Sequence, residues 1–375
     1  MIYFDNASST KPLKEVIDLF CTENEKNYAN PNSINSFGMH NFTTINRTKN
    51  EILKLFKLSS DYEVIITSGA TESNNIAILG YARKNINKGK HLITSKIEHE
   101  SVLNCFKELE KEGFEVTYLD VDNEGHICLD QLEKSIRKDT ILVALMASNN
   151  EVGSNLDIEK SREIISKFPK CVFYSDVAQA IGKIKVNYNL LDFFGFSYHK
   201  IHGLKGIGLL VKKKKINLDS IVYGGNQENG LRSGTIDYPS FVASTLALKQ
   251  CFLNLNSNYQ HVKELNTFIR KELGNNSEIE INTSKIENPY ILSISLKTKS
   301  SSVFVEALSS KNIFVNSVSA CNSKNDEPSH VLLAMNKSNK IARNVIRISF
   351  SHFNTIEECK EFISELNSIL YTITG

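Results

Sequence analysis

The sequence lacks the features that mark secreted, metal-stabilised and membrane-spanning proteins. Its seven cysteines are scattered and odd in number, and none forms a C-x-x-C pair, which argues against a disulfide framework and against a zinc site. No apolar run reaches the length of a membrane span, and the N-terminus has no basic region followed by a long apolar stretch. We therefore expect a cytoplasmic protein without a resident metal and without a membrane partner.

Neither sign of charge dominates the chain. The formal net charge of +2 is too small to imply binding to nucleic acid, and the basic run at residues 212–215 is typical of a solvated turn after an apolar strand. Internal repeats and long low-complexity segments are missing as well, whereas 41% hydrophobic and 23% charged residues are typical of a folded globular chain. We expect a folded enzyme-like body that does not contact nucleic acid directly.

Strand-like and helix-like segments alternate between residues 63 and 211. The predicted strands cover residues 63–67, 91–94, 115–119, 141–146, 171–175, 193–197 and 206–211. The predicted helices between them cover residues 72–85, 101–112, 129–138 and 158–168. This alternation predicts the α/β class, with a mostly parallel sheet flanked by helices.

A different pattern begins near residue 253, and 375 residues exceed what one hydrophobic core usually supports. A polar stretch and a helix of mixed charge precede a predicted strand at 290–296 and a final helix at 355–371. We predict a large domain of residues 15–252, which would bind any cofactor, and a smaller α+β domain of residues 1–14 and 253–375.

The turn at residues 67–73 follows a strand and opens a helix. A helix N-terminus presents free N–H groups and a positive dipole end, and the hydroxyls of Ser68, Thr71 and Ser73 are close in sequence, so this turn is suited to hold a phosphate. Taken alone, such a turn is more often an ordinary helix cap.

Asp176 and Lys200 each follow an apolar strand. Ligands bind at the carboxyl ends of the strands in an open parallel sheet, so Asp176 could pair with a protonated ring nitrogen there, although capping of the next helix is equally plausible. Lys200, beside His199, could form an imine if its pKa is lowered, although such a lysine is more often structural. A turn that binds phosphate, a carboxylate that pairs with a ring nitrogen and a lysine that forms an imine together are typical of a pyridoxal-phosphate site.

Seven sequence motifs follow one another along nearly the whole chain in the same order as in a known protein family. They cover residues 67–73, 97–100, 149–153, 175–182, 197–208, 224–235 and 319–321, and the likeness extends from residues 3–7 to residues 346–350. In these segments the chain resembles the cysteine desulfurases of the class V aminotransferase group of fold-type I pyridoxal-phosphate enzymes. The resemblance implies a reaction that takes sulfur from L-cysteine, leaves L-alanine, and passes a persulfide to an acceptor protein for iron–sulfur cluster assembly or for thiolation of tRNA or another target.

The resemblance also implies roles for individual residues. Lys200 would bind pyridoxal 5′-phosphate covalently, Asp176 would keep the ring nitrogen protonated, and Gln179 would hydrogen-bond the phenolic oxygen. His99 would stack on the ring and move a proton. The further contacts are Ala70, Thr71, Ser197 and His199 at the phosphate, Thr235 from the second subunit of a homodimer, Asn150 at cofactor and substrate, and Arg347 with Asn30 at the substrate carboxylate. Taken alone, an arginine such as Arg347 would more often form a surface ion pair.

Cys321 determines the reaction type that the resemblance implies. It lies in the polar stretch 317–330, which predicts an exposed mobile loop, whereas Cys105 and Cys171 stand among apolar residues typical of buried structural cysteines. Its thiolate would take the sulfur as a persulfide, helped by positive charge such as Lys324. An aminotransferase, which needs no such cysteine, and a selenocysteine lyase are alternatives on the same fold, and a non-catalytic adaptor is the alternative from another class.

Three residues depart from the family pattern. Tyr198 stands where a glycine commonly precedes the His-Lys pair, Leu204 where a proline is frequent, and Val177 where an alanine is usual. Each is expected to add bulk near the site. After Gly375 we expect no longer tail of the kind with which similar members dock an iron–sulfur scaffold, so the resemblance does not identify the acceptor.

Overall fold

The structure is a computed structural model that describes residues 1–317 and 327–372. Its helices are α1 (Lys14–Lys26), α2 (Ser36–Leu55), α3 (Ala70–Lys84), α4 (Glu100–Lys111), α5 (Leu129–Ser135), α6 (Ile158–Ser166), α7 (Tyr238–Leu253), α8 (Leu255–Leu273), α9 (Ser301–Ser310), α10 (His330–Ala334), α11 (Asn339–Arg343) and α12 (Ile356–Thr372). Its strands are β1 (Ile2–Tyr3), β2 (Tyr62–Thr67), β3 (His91–Ser95), β4 (Glu115–Leu119), β5 (Thr140–Ala144), β6 (Val172–Asp176), β7 (Phe193–Ser197), β8 (Gly208–Lys213), β9 (Ile279–Ile281), β10 (Ile291–Leu296), β11 (Ile313–Phe314) and β12 (Val345–Ser349). Within the described ranges, no helix combines the length and the apolar character needed to cross a membrane.

A seven-stranded sheet forms the centre of the larger part of the molecule. Its strand order is β2-β8-β7-β6-β5-β3-β4. Strands β7, β6, β5, β3 and β4 run parallel, whereas β8 is antiparallel to both β7 and β2. The seven strands predicted from the sequence are all present, and the α/β class with a mostly parallel sheet is confirmed.

Both faces of this sheet are covered, which explains why inner strands such as β5 and β7 are buried at every position instead of alternating. Along residues 141–145, Val143 and Leu145 join the hydrophobic cluster on one face, and Leu142 and Ala144 join the cluster on the other. Helices α2 and α6 contribute to the first cluster, and α3 and α4 to the second. Because both faces are packed, the strand ends are left as the place for a ligand.

The basic run at residues 212–215 is not wholly the solvated turn that was expected. Lys212 lies inside β8 and is only 3% exposed. Its Nζ pairs with Glu63 at 2.5 Å and donates to the backbone oxygen of Ile216 at 2.9 Å. The salt bridge crosses from β8 to β2, so it is a contact that the local sequence does not reveal.

A second hydrophobic cluster lies around a three-stranded antiparallel sheet of order β12-β10-β9. Helices α8, α9 and α12 contribute Val262, Phe304 and Phe362 to this cluster. Strand β1 pairs with β11, and Phe4, directly after β1, is fully buried in the same cluster. The domain limits at residues 14 and 253 stay a prediction, with the separate cluster as their physical basis.

Several chain segments meet at the carboxyl ends of the parallel strands. Asp176 is the last residue of β6, and Ser197 the last of β7, which a 3₁₀ turn ending at Lys200 follows. Thr67, at the end of β2, and Ser197 both pair with Gly208 of β8. The three motifs predicted to share a crevice therefore lie at one edge of the sheet.

Candidate active site

A cavity of about 360 Å³ lies at this edge. Its wall is formed by strand ends, by the N-terminal segment and by residues that follow β11 in the chain. The predicted site residues that line it are Ala70, Thr71, His99, Asn150, Asp176, Gln179, Ser197, His199, Lys200 and Arg347. Residues expected at a phosphate, at a ring and at a substrate therefore share one cavity.

The turn before α3 lies against the end of β7 and the start of β8. The backbone N–H of Ala70 donates to Ser197 Oγ at 2.6 Å. Glycine is required at position 208, because a Cβ there would lie 2.4 Å from the Cα of Gly69. The N-terminus of a 15-residue helix and the Ser197 hydroxyl thus lie together, and such a helix end is suited to bind an anion.

His199 presents a buried ring nitrogen whose hydrogen-bonding capacity is unused. Within the part of the chain that the structure describes, its Nδ1 has no hydrogen-bond partner. Burial, with smaller contributions from Lys200 and Lys205, lowers the pKa of His199 to about 4, so the imidazole is neutral near pH 7. Because an unsatisfied buried polar atom is costly, a bound ligand would stabilise this arrangement. His199 is therefore a candidate contact for the same anion.

Asp176 is 6% exposed, and neighbours orient both of its carboxylate oxygens. Oδ1 accepts from the backbone N–H of Ala178, and Oδ2 accepts from Asn74 Nδ2, both at 2.9 Å. The Asn74 amide is held in turn by the Tyr174 hydroxyl, which donates to Asn74 Oδ1. Neither Asn74 nor Tyr174 was predicted. Asn74 lies four residues after the first residue of α3, on the same helix face as Ala70, which is consistent with a buried position. The neighbouring sequence, however, gives no signal for its contact with β6.

The N-terminal segment closes over Lys200. Lys200 Nζ donates to the backbone oxygens of Ala7 at 2.7 Å and Ser8 at 2.8 Å. Thr10 fixes the segment, since its N–H donates to the backbone oxygen of His199 at 2.8 Å. The segment is therefore part of the site, and only the family likeness at residues 3–7 pointed to it.

Gln179 is a close neighbour of Lys200. Its Nε2 donates at 2.9 Å to the backbone oxygen of Ala7, the carbonyl that also accepts from Lys200 Nζ. Its backbone is fixed by Asn288, whose Nδ2 donates to the Gln179 carbonyl at 3.0 Å. Two donors that share one acceptor lie close together, so the amide and the amine face the same part of the cavity.

His99 precedes α4 and caps it. The N–H of Ser101 donates to His99 Nδ1 at 3.1 Å, so the proton of a neutral ring lies on Nε2. The adjacent Glu98 is buried, and its Oε1 accepts from Ser95 Oγ at 2.6 Å and from the N–H of Met146 at 3.0 Å. Burial raises the pKa of Glu98 to about 8. An acid that is largely protonated at pH 7 thus anchors the turn that presents His99.

Arg347 is 5% exposed and lies on β12. Its Nη1 donates to the backbone oxygen of Asn150 at 3.0 Å, and its Nη2 contacts Ser8 Oγ at 2.6 Å and Asp5 Oδ1 at 3.1 Å. Arg347 does form an ion pair, with Asp5, but the guanidinium is buried at the cavity wall, so the surface location considered from the sequence is wrong. Its planar fork of donors suits a substrate carboxylate.

Two predicted site residues are not among those that line the cavity. Asn30 is exposed, and its Oδ1 accepts from the N–H of Asn32 at 2.9 Å. Thr235 is also exposed, and its expected role concerns a second subunit. Cys321 lies outside the described residues, but Asn316 and Glu327, which precede and follow it in the chain, both line the cavity. The roles of Asn30, Thr235 and Cys321 stay predictions.

The three departures from the family pattern place their bulk in the core. Tyr198 and Val177 are fully buried in the hydrophobic cluster on one face of the large sheet, and Leu204 packs against it. The Tyr198 hydroxyl shares a hydrogen bond of 3.2 Å with Thr245 Oγ1. Val177 and Tyr198 are chain neighbours of cavity-lining residues, but none of the three residues lines the described cavity itself.

The residues that line the cavity fit pyridoxal phosphate. The α3 N-terminus and the unsatisfied Nδ1 of His199 match its phosphate. The oriented carboxylate of Asp176 matches a protonated ring nitrogen, and Lys200 supplies the amine. These groups come from the ends of three strands: α3 begins after β2, Asp176 ends β6, and His199 and Lys200 follow β7.

Known proteins are similar to this chain over nearly its whole length. The family model described as Aminotransferase class-V matches residues 2–362. The cysteine desulfurase IscS of Dictyoglomus turgidum is 35% identical over 373 residues, which are 98% of this chain and 94% of the relative. A solved structure of a NIFS-like protein is 32% identical with a TM-score of 0.92 and covers 99% of both chains. A structure of SspA in complex with cysteine is 30% identical with a TM-score of 0.82 and covers 95% of this chain and 100% of the other.

Proposed function

This chain belongs to the class-V aminotransferase family, and we propose that it is a pyridoxal-phosphate-dependent cysteine desulfurase. The enzyme removes sulfur from L-cysteine and leaves L-alanine. The observation that carries the proposal is that Lys200, Asp176 and Arg347 line one cavity. The similarity to a cysteine desulfurase over 98% of the chain supports this choice among the reactions of the family.

Pyridoxal phosphate, when bound, supplies an electron sink that stabilises negative charge at the substrate carbon. The N-terminus of α3, Ser197 and His199 hold its phosphate. Asp176 accepts a hydrogen bond from the ring nitrogen and keeps the proton there, with Asn74 and Ala178 fixing the carboxylate. Gln179 donates from Nε2 to the phenolic oxygen, and Lys200 is the residue of covalent attachment.

Arg347 binds the substrate carboxylate. Its guanidinium is fixed by Asp5, Ser8 and the Asn150 backbone, so little side-chain freedom is lost when substrate binds. Burial strengthens its attraction for a carboxylate, because the interaction is less screened than at a surface. The SspA structure with cysteine supports an amino acid of this kind as the ligand.

Two residues move protons during the reaction. The amine of Lys200 removes the proton from the α-carbon of cysteine, a task that its fixed position beside Ala7 and Ser8 supports. His99 delivers or accepts a proton at Nε2, since its Nδ1 is occupied as an acceptor from Ser101. Lys200 therefore serves both as the attachment point and as the base.

Cys321 receives the sulfur. Its thiolate attacks the sulfur of cysteine, an S–S bond forms as the C–S bond breaks, and the electron pair of that bond stays with the carbon skeleton, which takes up a proton and leaves as alanine. The persulfide then passes its outer sulfur to an acceptor thiol by exchange. Asn316, which precedes Cys321 in the chain, and Glu327, which follows it, both line the cavity, and this supports the role.

The finer assignments rest on the family resemblance. We propose a cytoplasmic homodimer in which Thr235 contacts the phosphate in the neighbouring site. The exposure of Thr235 in the single chain supports this, because a residue that serves a partner's site should be accessible before assembly. The acceptor is a protein of iron–sulfur cluster assembly or of thiolation, as the family resemblance implies.

Mass spectrometry of the cysteine-treated protein tests the function. Protein loaded with pyridoxal phosphate should form alanine, and the peptide that contains Cys321 should gain one sulfur atom. Cys321→Ser should lose the extra sulfur and the release of sulfide, whereas Cys21→Ser, at an exposed cysteine of α1, should keep both. A keto acid instead of alanine would identify an aminotransferase, and turnover of selenocysteine without a persulfide would identify a selenocysteine lyase.

A further inference from the structure

Lys183 is a second buried lysine beside the site, and the reaction above gives it no role. It is 5% exposed. Its Nζ donates to Gln179 Oε1 at 2.7 Å and lies 5.9 Å from the centre of the Tyr290 ring. Lysine is rarely buried to this degree unless it is paired, so the contact with Gln179 accounts for the position.

A tight turn after β6 brings Lys183 back to Gln179. The N–H of Lys183 donates to the backbone oxygen of Ala180 at 3.1 Å. Gly182 adopts a φ of +62°, and a Cβ at this position would lie 2.2 Å from Cys251 Sγ. Only glycine allows this turn against α7, so the approach of Lys183 to Gln179 is built into the backbone.

The amide of Gln179 is held between partners of opposite hydrogen-bonding roles. The backbone oxygen of Ala7 can only accept, so the group that faces it is Nε2. Lys183 donates, so the group that faces it is Oε1. Burial, followed by the nearby Lys200 and Arg347, lowers the pKa of Lys183 to about 7, but both the ammonium and the neutral amine have N–H groups to donate. The orientation of the amide therefore holds in either protonation state.

We propose that Lys183 is a positioning residue that fixes the Gln179 amide with its N–H group toward the cofactor cavity. This inference rests on the proposed function, in which Gln179 donates to the phenolic oxygen of pyridoxal phosphate. Without Lys183, Oε1 loses its donor and the Ala7 carbonyl alone orients the amide, so the N–H group is held less firmly toward that oxygen. The hydrogen bond to the phenolic oxygen would then be weaker, and the cofactor would be held less tightly.

Titration of the apoprotein with pyridoxal phosphate tests the role of Lys183. Lys183→Met removes the donor, and we expect the dissociation constant to rise about threefold to tenfold, as for the loss of one hydrogen bond. The pH midpoint of the visible absorbance of the bound cofactor should rise, because an oxygen without its N–H donor holds a proton more tightly. Lys183→Arg keeps the donors and should restore this midpoint, which provides a second test if the methionine variant does not fold.

Lys212→Met is the matched control. Lys212 is buried in β8 and does not line the cavity, so this variant should lose stability without a change in cofactor affinity or in the pH midpoint. If Lys183 acts through Gln179, the double variant Lys183→Met with Gln179→Ala should bind the cofactor as weakly as Gln179→Ala alone.

Additive effects of the two substitutions, or wild-type affinity and midpoint in Lys183→Met, would overturn the inference. The titration measures cofactor binding without catalysis, so it tests the role of Lys183 independently of the proposed reaction. A wild-type protein that binds the cofactor but forms no alanine refutes only the proposed reaction. A wild-type protein that binds no pyridoxal phosphate refutes both.

Discussion

Replacing Arg347 with lysine separates the geometry of its donors from its charge. In the structure Nη1 and Nη2 engage different partners, the Asn150 backbone and Asp5 with Ser8, and the fork is thereby fixed at the cavity wall. A lysine keeps one positive charge but loses the two-point contact with a carboxylate. A hydrogen bond to a charged group contributes about 1.5–3 kcal/mol, so kcat/KM for L-cysteine should fall roughly 10- to 150-fold. Most of the change should be in KM, because the carboxylate is bound equally before and during the reaction.

The assay compares L-cysteine with cysteamine, which lacks the carboxylate. Wild-type protein should prefer L-cysteine, and Arg347→Lys should lose that preference by the same factor by which its kcat/KM falls. Arg137→Lys, at an arginine paired with Glu115 outside the cavity, should behave as wild type. An equal loss on both substrates would mean that Arg347 supports the fold through Asp5 and does not bind the carboxylate, and the reasoning would be refuted.

Three further predictions concern buried polar contacts. Asn74→Ala removes the donor to Asp176 Oδ2 and should weaken pyridoxal-phosphate binding about tenfold in a titration; unchanged affinity would mean that Asp176 needs no such support. The pKa of Glu98 is raised from 4.5 to about 8, so the folded state binds an extra proton between these values and stability is lost as pH rises through about 8. In urea unfolding, the free energy of unfolding of Glu98→Gln minus that of wild type should therefore increase from pH 5 to pH 8.5. A difference that stays constant over this range would contradict the prediction. Lys49→Met should lower the free energy of unfolding by about 3–5 kcal/mol, because it leaves the buried carboxylate of Glu228, 1% exposed, without its cation; a loss near zero would show that this ion pair contributes little.

The sheet was predictable because most of its strands are short, largely apolar runs with polar or glycine residues at their ends. Strands β4 and β7 have the predicted limits of residues 115–119 and 193–197. Strand β8 was predicted at residues 206–211 but extends into the basic run, because Glu63 on the neighbouring strand neutralises Lys212. That pairing is set by the fold, and local patterns carry no information about it.

The site was predictable where its residues follow directly on strands. Asp176 and Lys200 stand at strand ends, and the parallel sheet brings strand ends together. Asn74, Ser8 and Lys183 were not found, because each reaches the site by a contact between distant elements or by a turn that glycine makes possible. These supporting residues carry polar side chains that occur equally at solvated surfaces, so their type alone gave no signal.

The central claim is that Lys200 is the residue to which pyridoxal phosphate is bound. Borohydride reduction makes such a linkage permanent, and peptide mass spectrometry then shows which lysine carries the phosphopyridoxyl group. We predict the group on Lys200 and none on Lys183, the other buried lysine that contacts Gln179. Label on Lys183, or label spread over surface lysines with Lys200 unmodified, would contradict the account.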